Sequence, residues 1–155
     1  MTPPPAAAPA GFDVTVCGWQ DAAHDLRAVR REVFVVEQGV PEALEWDDAD
    51  PVALHALAMD ASGHAIGCAR LLPDGHIGRV AVRRPWRGRG VGTALLLRLM
   101  RSGQARGDRR TIVNAQVSAM PFYAQHGFVA SGEVFDEAGI PHRVMTRDLR
   151  GAAQR

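Results

Sequence analysis

The sequence predicts an α/β fold in which helices cover both faces of a mixed, mostly antiparallel sheet. Three short strand-like segments separated by tight turns occupy residues 52–82, a pattern that indicates an antiparallel meander. A helix with an apolar stripe follows at residues 91–106, and a buried strand follows it at residues 111–117. This strand–helix–strand succession is a crossover unit, which adds a parallel pair to the sheet and places helices on both of its faces.

Length and composition are those of one globular domain. The chain has 155 residues, of which 46% are hydrophobic, enough to fill a core. We expect the domain to span residues 12–150, with a flexible Pro/Ala-rich tail at 1–11 and a short tail at 151–155. The formal net charge of +1 argues against nucleic-acid binding. Because no apolar run approaches the roughly 18 residues of a membrane span and no secretory signal is evident, we expect a cytoplasmic protein without membrane partners.

The first third of the chain predicts one strand and one helix. Asp13–Cys17 alternates apolar and polar residues, as a strand does. Asp21 is the predicted N-cap of a helix whose apolar residues recur at helical spacing through Val33. The helical pattern is expected to end at Gln38–Pro41, where glycine and proline interrupt it.

The remaining elements follow from turn residues and apolar spacing. The predicted meander strands are Val52–Met59, Ala65–Leu72 and His76–Val82. They are separated by Ser62-Gly63 and Pro73-Asp74-Gly75, which are typical turn sequences.

The second half adds the crossover and the last strands. The predicted elements are helix Val91–Arg106, strand Thr111–Val117, a short helix capped by Ser118, and strands Phe128–Glu133 and His142–Leu149.

The loop between the third meander strand and the long helix carries the strongest functional signal. Its sequence is Arg87-Gly88-Arg89-Gly90-Val91-Gly92-Thr93. Glycine allows positive φ and a close approach of the backbone to a ligand, and the first turn of a helix presents unpaired N–H groups. The loop therefore predicts an anion site built from backbone groups at the carboxyl end of a strand.

Two common phosphate-binding loops do not match this segment. A P-loop requires a Lys-Ser/Thr pair, and the chain contains no lysine. A dinucleotide-binding loop opens the first strand–helix unit and has a third glycine at the position of Thr93. The remaining pattern is Arg-x-x-Gly-x-Gly, which begins at Arg87 after a Val-x-Val strand.

With this motif the chain resembles the GCN5-related N-acetyltransferase (GNAT) family, whose members bind the pyrophosphate of coenzyme A in such a loop. The resemblance covers about Asp13–Leu149 and includes the order of elements, Asn114 and Phe122-Tyr123. Four further segments are similar to ElaA-type members: Arg30–Gln38, Glu45–Asp47, Asn114–Gln116 and Gly139–His142.

The resemblance implies a GNAT-type acyl-coenzyme A acyltransferase fold and an enzyme that transfers acetyl from acetyl-coenzyme A directly to a primary amine of a small molecule or peptide. It implies that the loop from Arg87 to Thr93 binds the pyrophosphate. It also implies that the pantetheine arm lies along the strand residues Val80, Ala81 and Val82, and that Asn114 lies across the cofactor slot. No metal ligands are expected.

The transfer needs an acid, for which the resemblance implies Tyr123, and a base, for which the residue types of the chain offer candidates. Tyr123 is the expected general acid, which protonates the departing thiolate. For the base that deprotonates the amine, His142 is preferred over His55, because histidine titrates near neutral pH. Glu45 is the alternative base. The acidic segment 42–50, with Trp46 at its centre, is expected to attract a cationic acceptor.

Two other functions remain open at this point. One is a non-catalytic domain that binds coenzyme A as a sensor. The other is an acyltransferase like the acyl-homoserine-lactone synthases, which Arg27–Phe34, Trp46-Asp47 and Gly67–Pro73 loosely resemble. A homodimer is also considered, because exposed edge strands commonly pair between copies.

Overall fold

The computed structural model describes residues 11–150, which form one seven-stranded sheet with helices on both faces. Residues 1–10 of the predicted N-terminal tail and residues 151–155 of the predicted C-terminal tail lie outside the described residues. Within residues 11–150, no helix is both long enough and apolar enough to cross a bilayer.

The order of elements confirms the predicted mixed sheet. The strands are β1 (Phe12–Cys17), β2 (Leu54–Asp60), β3 (Ala65–Leu71), β4 (His76–Val82), β5 (Arg110–Gln116), β6 (Val129–Glu137) and β7 (Ile140–Asp148). The helices are α1 (Trp19–Arg30), α2 (Glu42–Glu45), α3 (Val91–Arg106) and α4 (Met120–Gln125). The spatial order of the strands is β1-β2-β3-β4-β5-β7-β6. The β4–β5 pair is parallel and the other neighbouring strands of this sheet are antiparallel.

The start of α1 differs from the sequence prediction. The helix begins at Trp19 with Gly18 as its N-cap, so the prediction that Asp21 is the cap was wrong. Asp21 lies in the first turn instead, where its carboxylate accepts a hydrogen bond of 3.3 Å from the Gly18 N–H. A carboxylate is favourable there because it faces the positive end of the helix dipole. Beyond Arg30 the helix widens into a π turn at Arg31–Glu37.

The core has two layers, one on each face of the sheet. On one face, α1 and the π turn bury Leu26, Val29, Val33 and Phe34 against Leu57, Cys68 and Ala81. On the other face, α3 buries Leu95, Leu96 and Leu99 against Ile66, Ile77 and Val113. Each fully buried leucine contributes about 1.5–3 kcal/mol, so these two layers hold the helices against the sheet.

A bulge in β4 opens the middle of the sheet. Backbone pairing between β4 and β5 involves only His76 and Ile77 on β4. Arg79, at φ +49°, lies where β4 inserts one extra residue relative to β3. Because a bulge bends its strand, β4 leaves β5 at this point, and Val80–Val82 separate from Asn114–Gln116.

The last elements extend beyond their predicted bounds. Strand β6 continues to Glu137, and a tight turn through Ala138 and Gly139 joins it to β7. Both turn residues have positive φ, +54° and +79°. Ser118 is not the cap of α4, because it lies within a 3₁₀ turn at Val117–Ala119 that precedes the helix.

Candidate active site

A cavity of about 780 Å³ lies where β4 and β5 part. Its volume is in the usual range for small-molecule sites. We call the part lined by Val80–Val82, Arg87 and Tyr123 the loop side, because Arg87 is the first residue of the glycine loop, Arg87–Thr93. We call the part lined by the α2 segment, Arg79 and the tip of the β6–β7 hairpin the hairpin side.

The glycine loop has the backbone conformation of an anion site. Gly88 and Gly90 have φ of +75° and +84°, in the left-handed region that favours glycine. Gly90 is the N-cap of α3, so the N–H groups of the helix's first turn have no partner one turn earlier. A Cβ on Gly92 would lie 3.4 Å from the Phe122 ring, so the helix start packs closely against α4. These features leave backbone donors without intrahelical partners at the start of α3.

Val91 and Thr93 can serve an anion only through their backbone N–H groups. The Val91 side chain is buried in the core. The Thr93 hydroxyl oxygen lies 3.1 Å from His126 Nε2. It therefore stays a prediction that Val91 and Thr93 bind the cofactor, and the prediction now concerns their backbone N–H groups.

The β4 residues predicted to contact the cofactor offer a free strand edge. Beyond the bulge, Ala81 and Val82 pair with β3, while pairing with β5 has already stopped at Ile77. Val80, Ala81 and Val82 all line the cavity. An extended chain with amide groups can hydrogen-bond to such an edge as an additional strand would.

The Arg87 side chain is already engaged in this structure. Its two terminal nitrogens donate to the Glu37 carboxylate at 2.7 Å each, and Nε donates to the Val82 carbonyl oxygen at 2.8 Å. The hydrogen bond from Arg87 is the main cause that lowers the pKa of Glu37. Three of the five N–H groups of this guanidinium are thus in use, and its predicted contact with a pyrophosphate stays a prediction. Arg89 is exposed and lies over the Trp86 ring, 4.8 Å from its centroid.

Tyr123 is a buried phenol at the wall of the cavity. It is only 7% exposed, and burial raises its pKa to about 12. Its ring packs edge-to-face on Phe122 and Phe128, with centroids 5.1 Å and 5.6 Å away. The hydroxyl therefore stays protonated through the neutral range and can act as a proton donor.

His142, Glu137 and Asn114 form a polar cluster on the hairpin side. His142 Nδ1 lies 2.7 Å from the Ile140 carbonyl oxygen. Because a carbonyl oxygen only accepts, Nδ1 carries the hydrogen and the neutral ring has its lone pair on Nε2. Nε2 is 3.7 Å from a Glu137 carboxylate oxygen, and the Asn114 amide donates to the other oxygen at 3.4 Å. The arrangement presents a possible proton acceptor inside the cavity.

The contacts of Glu45 do not favour its predicted role as the alternative base. It is 3% exposed and lies in the cavity wall. Its carboxylate is 2.8 Å from Arg30 Nε and 3.0 Å from Arg79 Nε. The carboxylate is therefore already engaged by two guanidinium groups of the chain, and its role as a base stays a prediction.

Arginines of the chain pair with several carboxylates of the acidic segment, so its predicted attraction for a cation stays a prediction. Asp50 pairs with Arg30 and Arg70 at 2.8 Å and 2.9 Å. Asp47 accepts two hydrogen bonds of 2.8 Å from Arg70, which lower its pKa to about 2. Trp46 packs against the Arg30 guanidinium, 5.1 Å from its ring centroid. Arg30 and Arg70 thus offset the charge of Glu45, Asp47 and Asp50.

His55, the second candidate base, is placed away from the cavity lining. It is 1% exposed, and its Nε2 is 2.9 Å from the Asp50 carbonyl oxygen. Burial is the main cause that lowers its pKa. We therefore assign it a structural place beneath the buried arginine network.

Sequence reasoning missed several polar residues of the cavity. Glu137 is one example, and Gln116, which donates a hydrogen bond of 3.0 Å to Gln38, is another. Their partners are distant in sequence, so no local motif indicates them. Within residues 11–150, no three His, Cys, Asp or Glu side chains converge where a metal ion could bind.

Comparison with known proteins identifies the family. A family model described as the acetyltransferase (GNAT) domain matches residues 20–149. The chain belongs to the GNAT family. Among its GNAT relatives is YjcF of Bacillus subtilis strain 168, described as an uncharacterized N-acetyltransferase. The two are 35% identical over 133 residues, which cover 83% of this chain and 94% of YjcF.

Solved structures confirm the GNAT-type fold and the predicted similarity to ElaA. An acyl-CoA N-acyltransferase from Pseudomonas aeruginosa is 33% identical, with a TM-score of 0.78 over 88% of this chain and 99% of that one. ElaA from Escherichia coli is 27% identical, with a TM-score of 0.78 over 88% of this chain and 99% of ElaA.

Proposed function

We propose that this GNAT protein is an acetyl-coenzyme A-dependent N-acetyltransferase whose acceptor is a primary amine of a small molecule or peptide. The observation that carries the proposal is the cavity between the parted strands β4 and β5, which is lined by Tyr123 and by Arg87 at the start of the glycine loop. A donor with a diphosphate, an extended amide arm and a thioester has matching groups in that order along the loop side.

The loop side fits each part of this donor. Backbone N–H groups between Gly88 and Thr93 provide donors for the diphosphate. The free edge of Val80–Val82 provides backbone partners for the amide arm. Tyr123, farther into the lining, is available for the sulfur.

The chemistry then needs one proton acceptor and one proton donor. His142 Nε2 takes a proton from the amine as its nitrogen bonds to the acetyl carbonyl carbon. The carbon–sulfur bond breaks, and the Tyr123 hydroxyl gives its proton to the thiolate. Solvent then removes the proton from His142 and restores that of Tyr123, so the products are an amide and a free thiol. No acyl-enzyme is required.

The Tyr123→Phe variant tests the donor role of the hydroxyl. We expect turnover to fall about a hundredfold, because a positioned acid contributes at least that much to such steps. Affinity for coenzyme A should stay within twofold, since the ring and its packing on Phe122 and Phe128 are kept. Thiol release measures turnover, and calorimetric titration measures affinity. Unchanged turnover with a good acceptor would remove Tyr123 from the mechanism.

An amine panel tests the function as a whole. Purified protein is incubated with acetyl-coenzyme A and polyamines, aminoglycosides, amino acids or peptides, and free thiol is measured. Acceptor-dependent release of thiol supports the proposal. Tight binding of coenzyme A without release by any acceptor would favour the sensor alternative. Formation of a lactone product from acyl donors would favour the alternative that resembles acyl-homoserine-lactone synthases.

A further inference from the structure

We propose that Glu137 is a positioning residue for the reaction: it stabilises the imidazolium that forms at His142 when Nε2 takes the amine's proton. This inference rests on the proposed function and concerns the same cavity. Glu137 is half-exposed, lines the cavity and lies 3.7 Å from Nε2.

One hairpin fixes the geometry of both groups. Glu137 and Ile140 are register partners at the end of β6 and β7, joined by the tight turn through Ala138 and Gly139. The Ile140 carbonyl oxygen holds Nδ1–H, which turns Nε2 toward Glu137. Phe135 stacks on the imidazole with centroids 5.9 Å apart, so the ring has little freedom to rotate.

The other charged groups around this part of the cavity are compensated by one another. Glu45 and Asp47 of the acidic segment and Arg70 and Arg79 of the sheet line the same cavity, and they are paired with each other or with Arg30. Tyr123 is neutral, because burial raises its pKa to about 12.

The Glu137 carboxylate differs from these groups. It accepts from the Asn114 amide, which is neutral. Its negative charge is therefore available to an imidazolium at His142, and that is the state the ring enters during transfer.

The proton transfer balances without a further reactant. The amine nitrogen gives one proton to Nε2 while it forms the bond to the acetyl carbon, and the ring becomes an imidazolium with Nδ1–H still bonded to Ile140. Glu137 stays ionised and takes no proton. The imidazolium releases its proton to solvent after the thiol has left.

The test compares Glu137→Gln with Glu133→Gln, an exposed carboxylate on the same strand that does not line the cavity. The pH titration of the His142 ring is followed by NMR, and the pH profile of kcat/KM is measured on the same samples. A carboxylate favours the protonated ring, so Glu137→Gln should move the His142 titration midpoint to lower pH by about half to one unit. The acidic limb of the rate profile should move by the same amount, and Glu133→Gln should move neither.

The plateau rate and the conservative variant separate positioning from a merely structural role. In Glu137→Gln we expect the plateau rate to fall about threefold to tenfold, since a less basic ring is a weaker proton acceptor, while coenzyme A affinity is unchanged. Glu137→Asp keeps the charge, so its His142 titration midpoint should lie close to that of the wild type.

Two results would overturn the inference. An unchanged His142 midpoint in Glu137→Gln removes the coupling, whatever the acceptor activity. A shifted midpoint with an unshifted acidic limb removes His142 from the rate-determining proton transfer. If the wild-type protein releases no thiol with any amine, the proposed function fails instead, and the NMR titration distinguishes the two failures.

Discussion

The two sides of the cavity are built in different ways. The loop side consists mainly of backbone, with two positive-φ glycines, the start of α3 and the free edge of β4. The hairpin side consists of side chains whose partners are far apart in sequence, such as Arg30 with Asp50 and Asn114 with Glu137. A backbone site leaves a local trace in the sequence because glycine is needed at particular positions. A side-chain site leaves little local trace.

The charge of a segment is a poor guide to its potential when the fold brings counter-charges from elsewhere. Residues 42–50 contain five acidic side chains in the sequence, and an attraction for cations is the natural expectation. In the structure, Arg30 and Arg70 arrive from α1 and β3 and pair with three of the carboxylates. The hairpin side is therefore more nearly neutral than its sequence suggests.

The comparison predicts that removing one buried partner on the hairpin side lowers the stability of the fold. Arg30 is 1% exposed and donates to the Glu45 carboxylate, the Glu45 carbonyl oxygen and the Asp50 carboxylate. In Arg30→Met two buried carboxylates lose this partner, so we expect the free energy of unfolding to fall by about 3–5 kcal/mol. Urea denaturation followed by circular dichroism measures this change.

The neighbouring residue provides the control for this variant. Arg31 pairs with Glu42 at 2.6 Å, but both side chains are about half exposed, at 50% and 46%. Arg31→Met should therefore cost less than about 1 kcal/mol. Equal losses from the two variants would mean that burial of the Arg30 network adds nothing to stability.

The loop side should instead be sensitive to backbone conformation. A side chain at Gly90, whose φ is +84°, costs about 1–2 kcal/mol in the left-handed region. If the loop relaxes to avoid this cost, its N–H groups no longer converge, and the dissociation constant for coenzyme A in Gly90→Ala should rise about tenfold. Calorimetric titration measures this change.

Gly63 is a matched control for backbone strain. Its φ is +83°, and a Cβ there meets nothing within 4 Å, as at Gly90. Gly63→Ala carries the same local cost in the turn between β2 and β3, away from the cavity. Its coenzyme A affinity should equal that of the wild type. A similar loss of affinity in both variants would show that strain, and not the loop site, is being measured.

Most of the fold could be predicted because its signals are local. The bounds of β4 and α3 agree with their predictions to the residue, since a turn precedes β4 and glycines flank α3. The N-terminus of α1 could not be predicted, because it depends on a glycine cap. The end of β6 could not be predicted either, because it depends on the register of a hairpin. Neither the π turn nor the bulge at Arg79 has a composition that marks it.

The residues of the site that belong to a local motif could be proposed from the sequence, and the others could not. Arg87 at the start of the glycine loop, the β4 edge and Tyr123 line one cavity, and their cofactor roles stay predictions. The pairing of Arg87 with Glu37 joins residues 50 positions apart, and Glu137 reaches His142 only through the hairpin turn. Such contacts follow from the packing of whole elements and could not be predicted from spacing.

The most direct test of the account compares coenzyme A with pantetheine, which lacks the diphosphate and the nucleotide, as ligands of the wild-type protein. Hydrogen bonds from backbone N–H groups to a charged diphosphate contribute about 1.5–3 kcal/mol each. We therefore predict that coenzyme A binds at least about a hundredfold more tightly in calorimetric titration, and that the amide resonances of residues 88–93 shift with coenzyme A alone. Equal affinities for the two ligands, with no response from the loop amides, would contradict a diphosphate site in the glycine loop.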